Sequence, residues 1–134
     1  MGTIQVSARW TGEELNYVGT DTKGNQINMG GENVSPGQML LLAVAGCMGM
    51  DVVSILQKKR QAIKDVQVQV VGHQPKTYPR PFQTVEMAFT IKGDNLDPRA
   101  IEQAIQLSNE KYCMVGQTLQ NKTELKTSYT VVNN

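Results

Sequence analysis

The stretch Ser35-Pro-Gly-Gln-Met-Leu-Leu-Leu-Ala-Val-Ala-Gly-Cys47-Met-Gly-Met-Asp51-Val-Val-Ser-Ile-Leu-Gln-Lys58 decides the fold. Ser is a favoured helix N-cap, and Pro is tolerated at the first helical position because its missing N–H would have no partner there. A helix is expected from here to about Arg60, roughly 25 residues or about 37 Å. It is apolar on nearly every side as far as Val53 and amphipathic only afterwards. A helix of that kind has to be enclosed on every side, and a chain of 134 residues has little with which to enclose it. An obligate dimer is therefore expected. Asp51 interrupts the apolar run and Gly46 and Gly49 dilute it, which favours a buried core helix over a membrane span. The run Lys58-Lys59-Arg60 places cations at the negative end of the helix dipole.

Working outward, Gly2–Trp10 alternates, with Ile4, Val6, Ala8 and Trp10 on one side, and reads as a strand with one buried face. Asn16–Thr20 and Gln26–Met29 read as a hairpin around the turn residues Asp21-Thr-Lys-Gly-Asn25. After the helix, Val66–Val71 and Thr84–Ile91 alternate and flank a proline-rich loop, His73–Phe82. Asp97-Pro98 repeats the capped-helix opening, and Ile101, Ala104, Ile105 and Ser108 keep to one face of the helix it starts. Tyr112-Cys-Met-Val115 reads as a further helical turn. A closing strand is expected over Glu124–Val132. The expected class is α+β, in the order β-β-β-α-β-β-α-(α)-β, as a single domain over residues 1–134.

Composition narrows the function. Hydrophobic residues make up 40% and charged residues 19%, as in ordinary globular proteins. Aromatics are only 5% against seven methionines, so the core is built from aliphatics, Ala and Met, and any pocket it lines is adaptable. A net charge of +1 predicts no nucleic-acid partner. No apolar stretch of signal-peptide length opens the chain, which points to the cytoplasm and a reducing compartment. The two cysteines, Cys47 and Cys113, are then either inert core thiols or chemically active ones.

Small residues surround Cys47, with Ala43 one turn before it and Gly46 and Gly49 close by, so either another backbone or a small substrate can approach its sulfur. Asp51, one turn later, opposes thiolate formation and calls for a partner, with Arg the expected one and a structural role the expected use. Cys113 opens or precedes a helical turn beside Lys111, a setting that can acidify a thiol. His73 is the only histidine and falls in a loop, where a surface position is expected. No CxxC or HxxxH spacing supports a metal, and no glycine-rich phosphate motif supports a nucleotide cofactor.

Ser35-Pro-Gly-Gln-Met-Leu-Leu-Leu-Ala-Val-Ala-Gly-Cys47 resembles the N-P-x-x-L-(x)-x-A-x-x-A-x-C helix of the OsmC/Ohr family, and Glu110-Lys-Tyr-Cys113 resembles its second cysteine motif. The resemblance covers essentially the whole chain and looks closest to the YhfA-like branch. It implies an OsmC-like fold with a long central helix, in an intertwined homodimer. It also implies a peroxidase of organic hydroperoxides, in which Cys47 becomes a sulfenic acid that Cys113 resolves as a disulfide. No bound cofactor is implied. An external dithiol, of lipoyl type, would restore both thiols, and the substrate would be a small apolar hydroperoxide.

The chain departs from the family at Gly37, where family peroxidases carry a Glu that pairs with an Arg to stabilise the thiolate; the next residue, Gln38, is neutral. Arg9 and Arg80 are the candidates for a thiolate-stabilising cation. The departure points to a second reading, a non-catalytic redox-responsive or small-ligand-binding dimer on the same fold.

Overall fold

The computed structural model describes residues 2–132. Its longest element, α1 (Pro36–Lys58), begins as its sequence dictates, with the Ser35 Oγ accepting the Gln38 N–H at 3.2 Å. It stops two residues short of Arg60. The Arg60 N–H donates to the Gln57 carbonyl and the Gln61 N–H to the Leu56 carbonyl, while Arg60 takes a left-handed φ of 57°. This pattern is a Schellman cap, which satisfies the last carbonyls of the helix and turns the chain sharply away.

Two compact units divide the chain, with boundaries inside α1 and inside the strands β4 and β5 that follow it. One unit takes the chain up to Ala45 together with Gln69–Ala88. It holds a three-stranded antiparallel sheet of β1 (Ser7–Trp10), β2 (Tyr17–Thr20) and β3 (Gln26–Met29) in the order β1-β2-β3. The β2–β3 turn is held by Asp21, whose Oδ1 accepts the Lys23 and Asn25 N–H groups at 2.9 and 2.8 Å, and Gly24 supplies a φ of 89°. The first strand is shorter than its alternation suggests. Pairing runs from Trp10 opposite Tyr17 to Ser7 opposite Thr20, and residues 2–6 have no strand partner beyond that point. The expected buried face is also open, with Ile4, Val6 and Trp10 exposed.

The other unit takes Gly46–Val68 and the chain from Phe89 onward. Strands β4 (Ala62–His73) and β5 (Thr84–Asp94) pair with each other and are longer than the sequence suggests. β5 throughout, and β4 from Asp65 onward, alternate between exposed and half-buried residues, as a sheet covered on one side requires. Helix α2 (Pro98–Leu107) starts at Asp97, whose Oδ1 accepts the Arg99 N–H at 3.0 Å. Val52 and Leu56 of α1 meet Ala100 and Ala104 of α2 to form the buried core, and Phe89, Ile91 and Ile105 pack around it. The second half of α1 thus contributes to the core, although the length and composition of the whole helix, Pro36–Lys58, would also suffice to cross a membrane.

A π-helical turn, Ser108–Tyr112, follows α2 directly, and α3 (Met114–Gln120) completes the helices. The expected closing strand is not formed. Residues 122–132 carry no regular structure, and Leu125 and Tyr129 are each 90% exposed. Alternation gives a strand its two faces but not a neighbour, and no strand among the described residues pairs with this segment. The apolar surface of α1 is likewise only partly covered, with Leu42 62% and Met50 74% exposed.

Arg60 carries a side chain in a conformation that glycine adopts without penalty. Arg60→Gly is expected to stabilise the protein by about 0.5–1 kcal/mol, less whatever flexibility it adds to the unfolded chain; urea denaturation of the two proteins measures it.

Candidate functional site

Cys47 and Asp51 lie one turn apart on α1, so both side chains leave the same face of the helix. Ser108, the last residue of the face that begins at Ala100 and Ala104, is completely buried. Its hydroxyl donates to Asp51 Oδ2 at 2.8 Å. From Ser108 the backbone makes one wide turn, closed by the Cys113 N–H on the Ser108 carbonyl at 2.8 Å. That five-residue closure is the mark of a π turn, which occurs often at functional sites. Here it delivers Cys113, fully buried, to the group already formed by Cys47 and Asp51. The two sulfurs and a carboxylate oxygen all lie within 4.8 Å of one another. Both thiols are free, and Cys47 is the more accessible.

Cys113 is also the N-cap of α3, and its Sγ accepts the Gly116 N–H at 3.2 Å. Its position beside Lys111 suggested an acidified thiol, and the structure reverses that. Burial, a hydrogen bond to Cys47, and the negative charge of Cys47 and Asp51 together push the Cys113 thiol up to about 11. The Gly116 N–H works the other way and is outweighed. Lys111 sits instead with its Nζ 5.3 Å from the centre of the Tyr112 ring. At neutral pH Cys113 therefore keeps its proton and is a hydrogen-bond donor to the Cys47 sulfur.

The partner of Asp51 is the Ser108 hydroxyl and not the arginine its charge suggested. Arg9 lies on exposed β1, opposite Val18. Arg80 donates its Nε–H to the Pro75 carbonyl at 2.9 Å, within its own loop. Neither is among the groups that shift Cys113. Gly37 is not forced by packing, because a Cβ there would meet only Phe82 Cζ, at an ordinary 3.8 Å. His73 is exposed at the end of β4, with its Nε2 3.5 Å from Glu86 Oε1.

An open groove of about 450 Å³ leads to Asp51, lined also by Ser54, Ile55, Lys58, Leu107 and Tyr112. Its lining mixes charged, polar and apolar side chains. Sequence reasoning did not identify Ser108 as a functional residue. Its placement on the Ala100–Ala104 face was visible, but a serine on an apolar helix face does not announce which carboxylate it will meet.

The model of the OsmC-like protein family matches residues 29–128, which takes in both cysteines and every element that positions them. The chain belongs to the OsmC-like family. Among OsmC-like relatives, it is 37% identical over 133 residues to protein YhfA of Escherichia coli K12, covering 96% of this chain and 98% of that protein. A hypothetical protein from Aquifex aeolicus VF5 has a similar structure, with a TM-score of 0.82, 30% identity and coverage of 94% and 93% of the two chains. The organic hydroperoxide resistance protein OhrB of Bacillus subtilis shares the fold at a TM-score of 0.56 and 15% identity, over 87% of this chain and 89% of that one.

Asp51 contributes to the high proton affinity of Cys113. In Asp51→Asn the upper of the two apparent thiol pKa values is expected to fall below about 11; following thiolate ultraviolet absorbance with pH tests this, and an unchanged upper value would sink it.

Proposed function

We propose that the protein is a thiol-dependent peroxidase of organic hydroperoxides. The approach of Cys47 and Cys113, two free sulfurs within 4.8 Å of each other in the reduced chain, carries the reading. Family membership supports it, as does the shared fold with a protein named for organic hydroperoxide resistance.

The chemistry follows from accessibility. Cys47, the more exposed thiol, attacks the terminal oxygen of the hydroperoxide. The O–O bond breaks, an alcohol leaves, and Cys47 becomes a sulfenic acid. The Cys113 sulfur then displaces the hydroxyl, so that an S–S bond forms, the S–O bond breaks and water leaves. An external dithiol, of the lipoyl type, reduces the disulfide in a reducing cytoplasm. Before oxidation, the protonated Cys113 donates a hydrogen bond to Cys47.

The proposal includes a homodimer. The apolar residues left uncovered on α1 and the unpaired alternating segment after α3 are the surfaces a second copy would cover. Sedimentation equilibrium is expected to return twice the chain mass, with truncation after Asn121 lowering it; a monomer at micromolar concentration would remove this part of the reading.

One observation favours the non-catalytic alternative. Gly37 has room for a side chain but supplies no carboxylate to organise a cation at the thiols. The two readings separate in one experiment. Stoichiometric cumene hydroperoxide is expected to consume both thiols and leave one disulfide per chain, read by intact mass. Cys47→Ser should abolish turnover with a dithiol, and Cys113→Ser should leave a trappable sulfenic acid on Cys47. Burial and Asp51 still favour the protonated form of Cys113 after Cys47 is oxidised, so its thiolate fraction grows as the pH rises. The sulfenic acid should therefore become shorter-lived from about pH 6 to about pH 9. Thiols that survive the hydroperoxide unchanged would leave the alternative standing.

A further inference from the structure

We infer that the reduced protein binds one soft divalent metal ion, with zinc as the reference, through Cys47 Sγ, Cys113 Sγ and the Asp51 carboxylate. The site shares its residues with the peroxidase reading and does not depend on it.

The donor set is the first argument. Two thiolates and one carboxylate are ligands that zinc takes readily, and three protein ligands with an open fourth position are typical of zinc sites that exchange solvent. The three ligand atoms lie within 4.8 Å of one another. A tetrahedral ion with Zn–S bonds of about 2.3 Å holds its ligands roughly 3.8 Å apart, so a contraction of about 1 Å, within the reach of side-chain rotation, closes the site.

The surroundings are the second. Ligating groups in metal sites are themselves hydrogen-bonded, which fixes their orientation. Asp51 Oδ2 already accepts from the buried Ser108 hydroxyl at 2.8 Å, and Cys113 Sγ from the Gly116 N–H at 3.2 Å. The cluster is positioned by α1, the π turn and the start of α3, three different pieces of backbone. The groove at Asp51 offers a path of entry.

Charge is the third. As it stands, the cluster sets a carboxylate beside two thiols, with ligand atoms all within 4.8 Å of one another. A divalent ion reverses that balance: two S–H protons leave to solvent and three mutually repelling donors acquire a common counter-charge. Bound in this way, both sulfurs are occupied and neither is free to attack a peroxide. The metal form is then a protected resting state, and the disulfide form cannot bind.

The test uses the full-length reduced protein, freed of metal, and zinc titrated against a chromophoric chelator. One zinc per chain is expected, and cobalt in its place should give the intense thiolate-to-metal charge-transfer absorption of sulfur ligation. Asp51→Asn should weaken zinc binding tenfold or more, and Ser108→Ala, which only orients the carboxylate, by about tenfold. Wild-type protein oxidised to its disulfide keeps every other residue and should bind none, which serves as the control should a variant fold poorly. Absence of stoichiometric binding, or binding that Asp51→Asn leaves unchanged, would overturn the inference. Hydroperoxide added to the metal-free and zinc-loaded proteins separates the two readings. Thiol loss that one equivalent of zinc suppresses supports the inference, whereas thiols oxidised equally fast in both preparations overturn it and leave the peroxidase reading intact. Metal-free thiols that never react would count against the peroxidase reading alone.

Discussion

Two alanines set the distance between α1 and α2. Ala100 and Ala104 present almost no side-chain volume to Val52 and Leu56, so the two helices lie close together along this line. Everything in the thiol cluster follows from that approach. One turn beyond Ala104 stands Ser108, near enough to α1 for its hydroxyl to reach the Asp51 carboxylate. One π turn beyond Ser108 stands Cys113, held beside Cys47. A larger side chain at Ala104 would meet a position that is already fully buried, and interiors packed at crystal-like density accommodate such additions by displacing backbone. Helix packing here does the work that a covalent link between the cysteines would do elsewhere, and it leaves both sulfurs free.

Much of this arrangement can be read in the sequence. Ser35-Pro36 and Asp97-Pro98 start their helices because their side-chain oxygens and fixed φ suit those positions and no others nearby. The face carrying Ala104 and Ser108 is set by helical periodicity, and the turn at Asp21–Asn25 by side-chain hydrogen bonds to its own backbone. Both cysteine motifs identify themselves by local pattern. All of these features depend on contacts a few residues apart.

What could not be read depends on distant groups. The tendency of Lys111 to acidify Cys113 is a local expectation, and it fails because burial and the hydrogen bond to Cys47, far away in sequence, raise that sulfur's proton affinity while Lys111 lies over Tyr112. The partner of Asp51 is a hydroxyl because the approach of α2 brings a serine to it, 57 positions away in sequence. The strand expected over Glu124–Val132 has the right alternation but finds no partner strand among the described residues, and a strand without a neighbour gains nothing from extension. The π turn is invisible for a similar reason, since one extra residue in a helical turn leaves no mark on periodicity over so short a span.

Two sulfurs and a carboxylate without a cation among them form an electrostatically incomplete group. The incompleteness has only a few remedies. Protons on the sulfurs are one, and the high proton affinity of Cys113 shows the reduced site using it. Joining the sulfurs is another, since a disulfide carries no charge and leaves Asp51 alone with the Ser108 hydroxyl. A divalent cation is the third, and it engages all three donors together. Family peroxidases take a different course, with a Glu and an Arg organised at the thiol, and Gly37 removes the carboxylate half of that device. The Cys47 sulfur here has instead the S–H of Cys113 as its hydrogen-bond donor. In the peroxidase reading, the proton that Cys113 holds against Cys47 is also the one it must lose before its own sulfur can attack.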